Sequence, residues 1–275
     1  MTNGARVTHT ADSMTAPVPL YLREYATPSA DGPPILLLHG LLGSCANWHG
    51  IARRLAEGHR VLVPDLRGHG RSPAGGGISY PAMAADLIHL LDTHRILRTT
   101  VIGHSMGGKA AMWLALTAPE RVSALGVVDM APAAYPERLV SLLAALRALP
   151  LDQVADRRGA DVLLAPAVPD LGVRGYLLQN LEHGAGGWRW RIDLAALDAA
   201  MGDLRGFPDP GTAQFPGPTL FVYGTESDYL TGEHLARVRA LFPLARLRPV
   251  AGAGHWVYAD QPEGFLAAIA GILGH

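Results

Sequence analysis

The segment VIGHSMGGKAAMWLAL, Val101 to Leu116, sets Ser105 between Gly103 and Gly107, with β-branched residues before it and helix formers after it. A serine hydroxyl is a weak nucleophile at neutral pH, so acyl transfer through it needs a base, a group that orients the base, and donors for the oxyanion. The pattern G-x-S-x-G has meaning only where a strand precedes it and a helix follows, and both flank it here. A sharp strand-to-helix turn holds the serine in a strained conformation that glycine neighbours permit, and the helix N-terminus favours the negative charge that develops there. His255, in AGAGHWVYADQP, follows the last β-rich run in a glycine-rich loop and is the expected base. Two acids compete to orient it. Asp129, in VVDMAP, closes the strand after the nucleophile helix, where catalytic groups gather in open α/β sheets. Asp228 follows LFVYG, with Ser227 beside it as an auxiliary hydrogen-bonding group. Asp129 is preferred and Asp228 is the alternative. His39 and His104 lie near the site by motif, and packing is the expectation for both.

These residues require elements that carry them. β-rich runs occur at Val18–Ala26, Ile35–Leu38, Arg60–Leu66, Thr99–Gly103, Ser123–Met130, Pro218–Gly224 and Ala245–Gly252. Helical patterns fall between them: near Asn47 to Glu57, around Met83, Leu87 and Leu91, after Ser105, and around Phe265, Ile269 and Leu273. The alternation predicts an α/β fold with seven parallel-type strands in one sheet flanked by helices. The rhythm breaks between Ala131 and Phe215, where PERLVSLLAALRALPLDQVADRR and DLAALDAAMGDL read as helices and no β-rich run is evident. The expected organisation is a loose tail over 1–17, a core over 18–130 and 216–275, and a helical cap over 131–215. Pro- and Gly-rich stretches bracket the cap, as expected where it joins a sheet. Within it, GAGGWRWR combines a turn with Trp188 and Trp190, read either as cap packing or as an aromatic wall over an acyl pocket.

Composition narrows the function. The formal net charge of -1 gives no general field for nucleic acid or an anionic membrane, so a small-molecule partner is expected. No apolar run reaches the roughly 18 residues of a spanning helix. The opening MTNGARVTHTADSMTAPVP has no apolar signal core, and the single cysteine, Cys45, excludes an intrachain disulfide; a cytoplasmic setting is expected. No H-E-x-x-H and no Cys/His cluster suggests a metal. Lys109, the sole lysine among 23 basic residues, stands four places after Ser105.

The stretches HGLLGSCANW, DLRGHGRSP, GHSMGGKAAM, VVDMAPAAY, GGWRWR and GAGHWVYADQP together resemble the α/β-hydrolase superfamily, and within it the small YbfF-type esterase branch and its abhydrolase relatives. HGLLGS is similar to the H-G-x-x-G loop of esterases, which implies oxyanion donors at the N–H of Leu41 and of Met106. In this fold the acid most often takes the fourth place of G-x-x-D, and Gly224-Thr225-Glu226-Ser227 puts a serine there; the branch resemblance supports Asp129. It implies a cofactor-free serine esterase for short to medium acyl chains, with Trp188, Trp190, Tyr135 and Trp256 as substrate-pocket candidates and a structural ion pair for Lys109 beneath the nucleophile helix. Serine-dependent carbon–carbon bond hydrolases, thioesterases and perhydrolases would share the triad. A non-catalytic ligand-binding member of the fold is the rival of another class.

Overall fold

The computed structural model describes residues 16–136 and 138–274, so most of the tail expected over 1–17 lies outside the described residues. The first part of the chain supplies β1 (Leu22–Tyr25), β2 (Gly32–Leu38), α1 (His49–Leu55), β3 (His59–Pro64), α2 (Tyr80–Thr93), β4 (Thr99–His104), α3 (Met106–Thr117) and β5 (Val122–Val128). Then come α4 (Arg138–Ala148), α5 (Arg157–Leu164), α6 (Leu171–Leu178), β6 (Leu181–Gly184), β7 (Gly187–Trp190) and α7 (Leu194–Arg205). The chain ends with β8 (Thr219–Gly224), α8 (Leu235–Leu241), β9 (Ala245–Val250), α9 (Val257–Asp260) and α10 (Pro262–Ile269).

Among the described residues, seven strands form one sheet in the order β1-β3-β2-β4-β5-β8-β9. Six run parallel, but β1 pairs antiparallel with β3, Leu22 opposite Pro64 and Tyr25 opposite Val61, which corrects the expectation of seven parallel strands. Alternation along a strand reports which face is buried and says nothing about the direction of its neighbour. β2 shows how both faces are used. Leu36 and Leu38 point into the layer that holds α2, α3 and the cap, while Ile35 and Leu37 point into the layer with α1 and α10. Strands buried on both sides read as unbroken apolar runs, and β4 is buried along its whole length.

Between β5 and β8 the expected helices are present, but residues 181–190 fold into an antiparallel hairpin, Leu181 opposite Trp190 and Gly184 opposite Gly187. The expectation that this segment has no strand is therefore corrected. Its strands carry charge and glycine in place of a β-rich run, and cross-strand pairing with an Ala185-Gly186 turn holds them. In the core, Arg67 after β3 makes two bonds of 2.6 Å to the carboxylate of Asp86 on α2, both side chains almost wholly enclosed. Among the described residues no helix is long and apolar enough to cross a membrane.

Candidate active site

Ser105 occupies the one-residue joint between β4 and α3 with φ 52° and ψ −118°. Such a conformation costs a non-glycine residue on the order of 1–3 kcal/mol, so the surroundings must enforce it. They leave no room for alternatives. A Cβ on Gly103 would lie 2.1 Å from the carbonyl oxygen of Gly107, and one on Gly107 would lie 2.5 Å from that of His39. The Ser105 N–H is tied to the carbonyl of Val128 at 3.1 Å. Met106 is the first residue of α3, so its N–H is one of the helix's intrinsically unpaired donors.

Asp129 directly follows β5, also at positive φ (50°), and its N–H donates to Val222 on β8 at 2.8 Å. Its side chain is fully buried, and three donors converge on it. His255 Nδ1 lies 2.7 Å from Oδ2, Ser227 Oγ donates to the same oxygen, and the Gly224 N–H reaches Oδ1 at 3.3 Å. A neutral imidazole whose Nδ1–H is committed to a carboxylate carries a free lone pair on Nε2. The structure thus brings Asp129 and Ser227 to His255. The alternative acid, Asp228, is exposed on the turn after β8, one residue past the serine that faces inward.

The ring of His255 is held on both sides. Tyr229 stacks on it at 3.8 Å between centroids, and His104 lies 4.6 Å away. His104 donates from Nε2 to the His255 carbonyl at 2.9 Å, and burial pushes its pKa well below the usual histidine value, so it stays neutral and braces the loop. His39 has the packing role expected of it. Its Nδ1–H donates to Gly40 at 2.8 Å and its Nε2 accepts from the Leu66 N–H at 2.9 Å.

Leu41 and Leu42 are the central residues of a turn closed by the Gly43 N–H and the Gly40 carbonyl at 3.0 Å. Leu42 has φ 62°, at the position where a type II turn takes glycine. Cap residues grip this turn: Tyr176 Oη donates to the Leu41 carbonyl at 2.9 Å, and Asn180 Nδ2 to that of Leu42 at 2.6 Å.

Ser105, His255 and Leu41 open on a cavity of about 180 Å³ walled by Leu142, Val173, Tyr176, Leu177, Tyr229 and Trp256. Behind the serine a smaller void of about 20 Å³ is bounded by Met106, Lys109, Tyr135 and Tyr80. Of the four pocket candidates, Trp256 and Tyr135 therefore border the site. Trp188 and Trp190 line neither of these two cavities. Trp190 Nε1 donates to the Leu146 carbonyl of α4 at 3.1 Å, and Trp188 packs edge-on against His183, because the hairpin lays its aromatic side on the cap. The two tryptophans are cap packing, and the aromatic wall is built instead by Tyr176, Tyr229 and Trp256. Nothing in the sequence pattern singled out Tyr176, Asn180 or Tyr229; the glycines of LGVRGYLL dilute the helical signal of α6.

Lys109 also differs from expectation. Its ammonium donates to the carbonyls of Arg205 at 2.8 Å and Gly206 at 2.6 Å and lies 4.7 Å from the ring centre of Tyr135, so carbonyls at the C-terminal end of α7 take the place of an ion pair. Burial pushes its pKa from 10.5 down to about 7. Tyr80 Oη bonds the Leu204 carbonyl at 2.6 Å, so α2 and α3 both hold the end of this helix. Among the described residues no group of three His, Cys, Asp or Glu is arranged to hold a metal ion.

Comparison with known proteins adds an independent line. A family model described as the alpha/beta hydrolase fold matches residues 33–139. The sn-1-specific diacylglycerol lipase ABHD11 of Xenopus laevis is 38% identical over 250 residues, covering 88% of this chain and 80% of the relative. Esterase YbfF of Escherichia coli is 36% identical over 237 residues, covering 86% of this chain and 91% of its own length. A solved marine microorganism esterase superposes with a TM-score of 0.89 at 32% identity, covering 93% of this chain and all of the other.

Proposed function

This chain belongs to the α/β-hydrolase family and is a carboxylic ester hydrolase, and on that premise we propose that it cleaves esters of short to medium acyl chains through Ser105, His255 and Asp129. The observation that carries the reading is the His255–Asp129 bond of 2.7 Å opening on the same cavity as Ser105. Ser105 Oγ attacks the ester carbonyl carbon while His255 Nε2 takes the hydroxyl proton, and Asp129 stabilises the imidazolium without accepting its proton. The carbonyl π electrons move onto oxygen, where the N–H groups of Leu41 and Met106 receive the charge. Collapse of this intermediate breaks the bond to the alcohol oxygen, and His255 returns the proton to the departing alkoxide. Water, deprotonated by His255, then attacks the acyl-enzyme; Ser105 leaves and recovers its proton. No cofactor enters the balance.

Space limits the acyl length. A cavity of about 180 Å³ lies below the roughly 300–1,000 Å³ of pockets for drug-sized ligands and suits a chain of a few carbons. An open groove of about 910 Å³, sharing Tyr176 and Trp256 with that cavity, gives the alcohol portion room. A cytoplasmic setting belongs to the same proposal, resting on the single, buried Cys45.

The test is hydrolysis of p-nitrophenyl esters from acetate to palmitate by the wild type and Ser105→Ala, beside labelling with a fluorophosphonate probe. Turnover that peaks at short chains and vanishes, with the label, in the alanine variant is expected. A folded wild type that neither labels nor cleaves any ester would overturn the reading in favour of a ligand-binding role.

A further inference from the structure

We infer that the cap helix α6 and the residues just after it assemble the oxyanion hole, with Tyr176 on the helix and Asn180 beyond its end as positioning residues for the Leu41 N–H; the inference rests on the serine-esterase reading above. The two side chains donate to consecutive carbonyls, those of Leu41 and Leu42, at 2.9 and 2.6 Å. A third tie joins the same parts, from Asn47 Nδ2 after the turn to Gln179 Oε1 after α6, at 3.0 Å.

The peptide that follows Leu41 is the central one of the turn. Turns of types I and II differ by a flip of this peptide, which exchanges negative for positive φ at the next residue. Leu42 sits at φ 62° although its side chain disfavours that region, so the turn left to itself gains by flipping back. The Tyr176 hydroxyl holds the Leu41 carbonyl against that flip, and Asn180 holds the carbonyl on the other side of Leu42. Burial keeps the Tyr176 pKa well above the usual phenol value, so the hydroxyl stays a donor. The flip changes ψ of Leu41 and φ of Leu42, and with them the path of the loop that presents the Leu41 N–H beside Ser105.

The sequence makes room for this grip. A Cβ on Gly43 would lie 2.6 Å from Tyr176 Oη, so glycine at that position admits the hydroxyl. Gly40 is fixed by the other neighbour, since a Cβ there would lie 2.9 Å from His104 Nδ1. The same α6 offers Val173 and Leu177 to the acyl cavity. One helix thus both walls the acyl chain and sets the donor for the developing oxyanion, which couples occupancy of the cavity to completion of the site.

The experiment compares wild type, Tyr176→Phe, Asn180→Ala and Ser105→Ala as full chains, reading kcat and KM on a short p-nitrophenyl ester and Ki for an alkyl trifluoromethyl ketone. That ketone adds Ser105 to give an oxyanion in the hole. Loss of one donor typically costs about 10² to 10³ in rate, and a donor left in place but loosely aimed loses part of that. Expected for each cap variant is a fall in kcat of about tenfold or more, KM within about twofold, and a Ki raised by the same factor as kcat falls. Wild-type kcat and Ki in folded Tyr176→Phe and Asn180→Ala, or a rise in KM alone, would overturn the inference and leave α6 as a wall. Should Tyr176→Phe fail to fold, Asn180→Ala carries the comparison. Full activity in Ser105→Ala would refute the esterase reading itself, a result read independently of the two cap variants.

Discussion

Replacing Asp129 by Asn tests the assignment of the acid with little disturbance of the backbone. Asparagine tolerates the left-handed region that Asp129 occupies at φ 50°, and it keeps one oxygen for the Gly224 N–H. Oδ2 is the critical atom, since it receives both the His255 and the Ser227 hydrogen bonds. With an amide nitrogen in that place, the Ser227 hydroxyl can rotate to accept, but the Nδ1–H of His255 meets another donor. The ring then shifts its proton to Nε2, the nitrogen that must be bare to activate Ser105. An asparagine in place of a triad aspartate in a serine protease lowers kcat about 10⁴-fold through this change of tautomer, equivalent to about 5.4 kcal/mol at about 1.36 kcal/mol per decade. The expected outcome is a fall of that order in steady-state ester hydrolysis by Asp129→Asn, with Asp228→Asn within about twofold of wild type. Both proteins would be checked for an unchanged fold by circular dichroism. Collapse of Asp228→Asn with Asp129→Asn still above a tenth of wild-type rate would refute the reasoning.

Three further outcomes follow from buried groups. Lys109 has a folded-state pKa of about 7, below its ordinary 10.5, so the unfolded chain holds the extra proton between those values and the native state gains stability as pH rises through that window. Melting temperatures of wild type and Lys109→Met should therefore diverge in favour of wild type from pH 7 toward 10, whereas a constant difference would mean that the carbonyls of Arg205 and Gly206 keep the ammonium charged. Asp86→Ala strands the Arg67 guanidinium without its counter-charge and should cost about 3–5 kcal/mol in urea unfolding; a loss under about 1 kcal/mol contradicts the enclosure described for the pair. Burial pushes the Cys45 thiol up to about 12, so a maleimide should fail to label the native protein at pH 8 and should add one equivalent in denaturant.

The parts of the site dictated by the local chain were legible in the sequence. Gly103 is required by a backbone contact within the elbow itself and Gly107 by the close pass of the backbone at His39, and the apolar runs of β2 and β5 follow from burial on both faces. What escaped depends on packing between distant segments. The direction of β1 is set by its partner, and the grip of Tyr176 on Leu41 joins residues 135 positions apart. Trp188 and Trp190 advertise an apolar surface, but which way a hairpin turns that surface is decided by the helix it meets. Lys109 invited a carboxylate partner because ion pairing is the usual fate of a buried cation. The carbonyls of Arg205 and Gly206 at the end of α7 satisfy the same need, and a pattern of side chains cannot reveal backbone acceptors.

Asp129 is also the point at which the chain leaves the sheet for the cap. Its N–H is anchored to β8 and its carboxylate to three donors, while a few residues on Ala131 N–H donates to Tyr135 Oη, which in turn donates to the Tyr229 carbonyl. The joint is built like the root of a cantilever, anchored at Asp129 and again at Tyr135. The footing of the acid is thereby insulated from whatever sequence the cap acquires. Exchange of cap segments beyond this root can diversify the substrates accepted while the proton-transfer geometry is inherited intact.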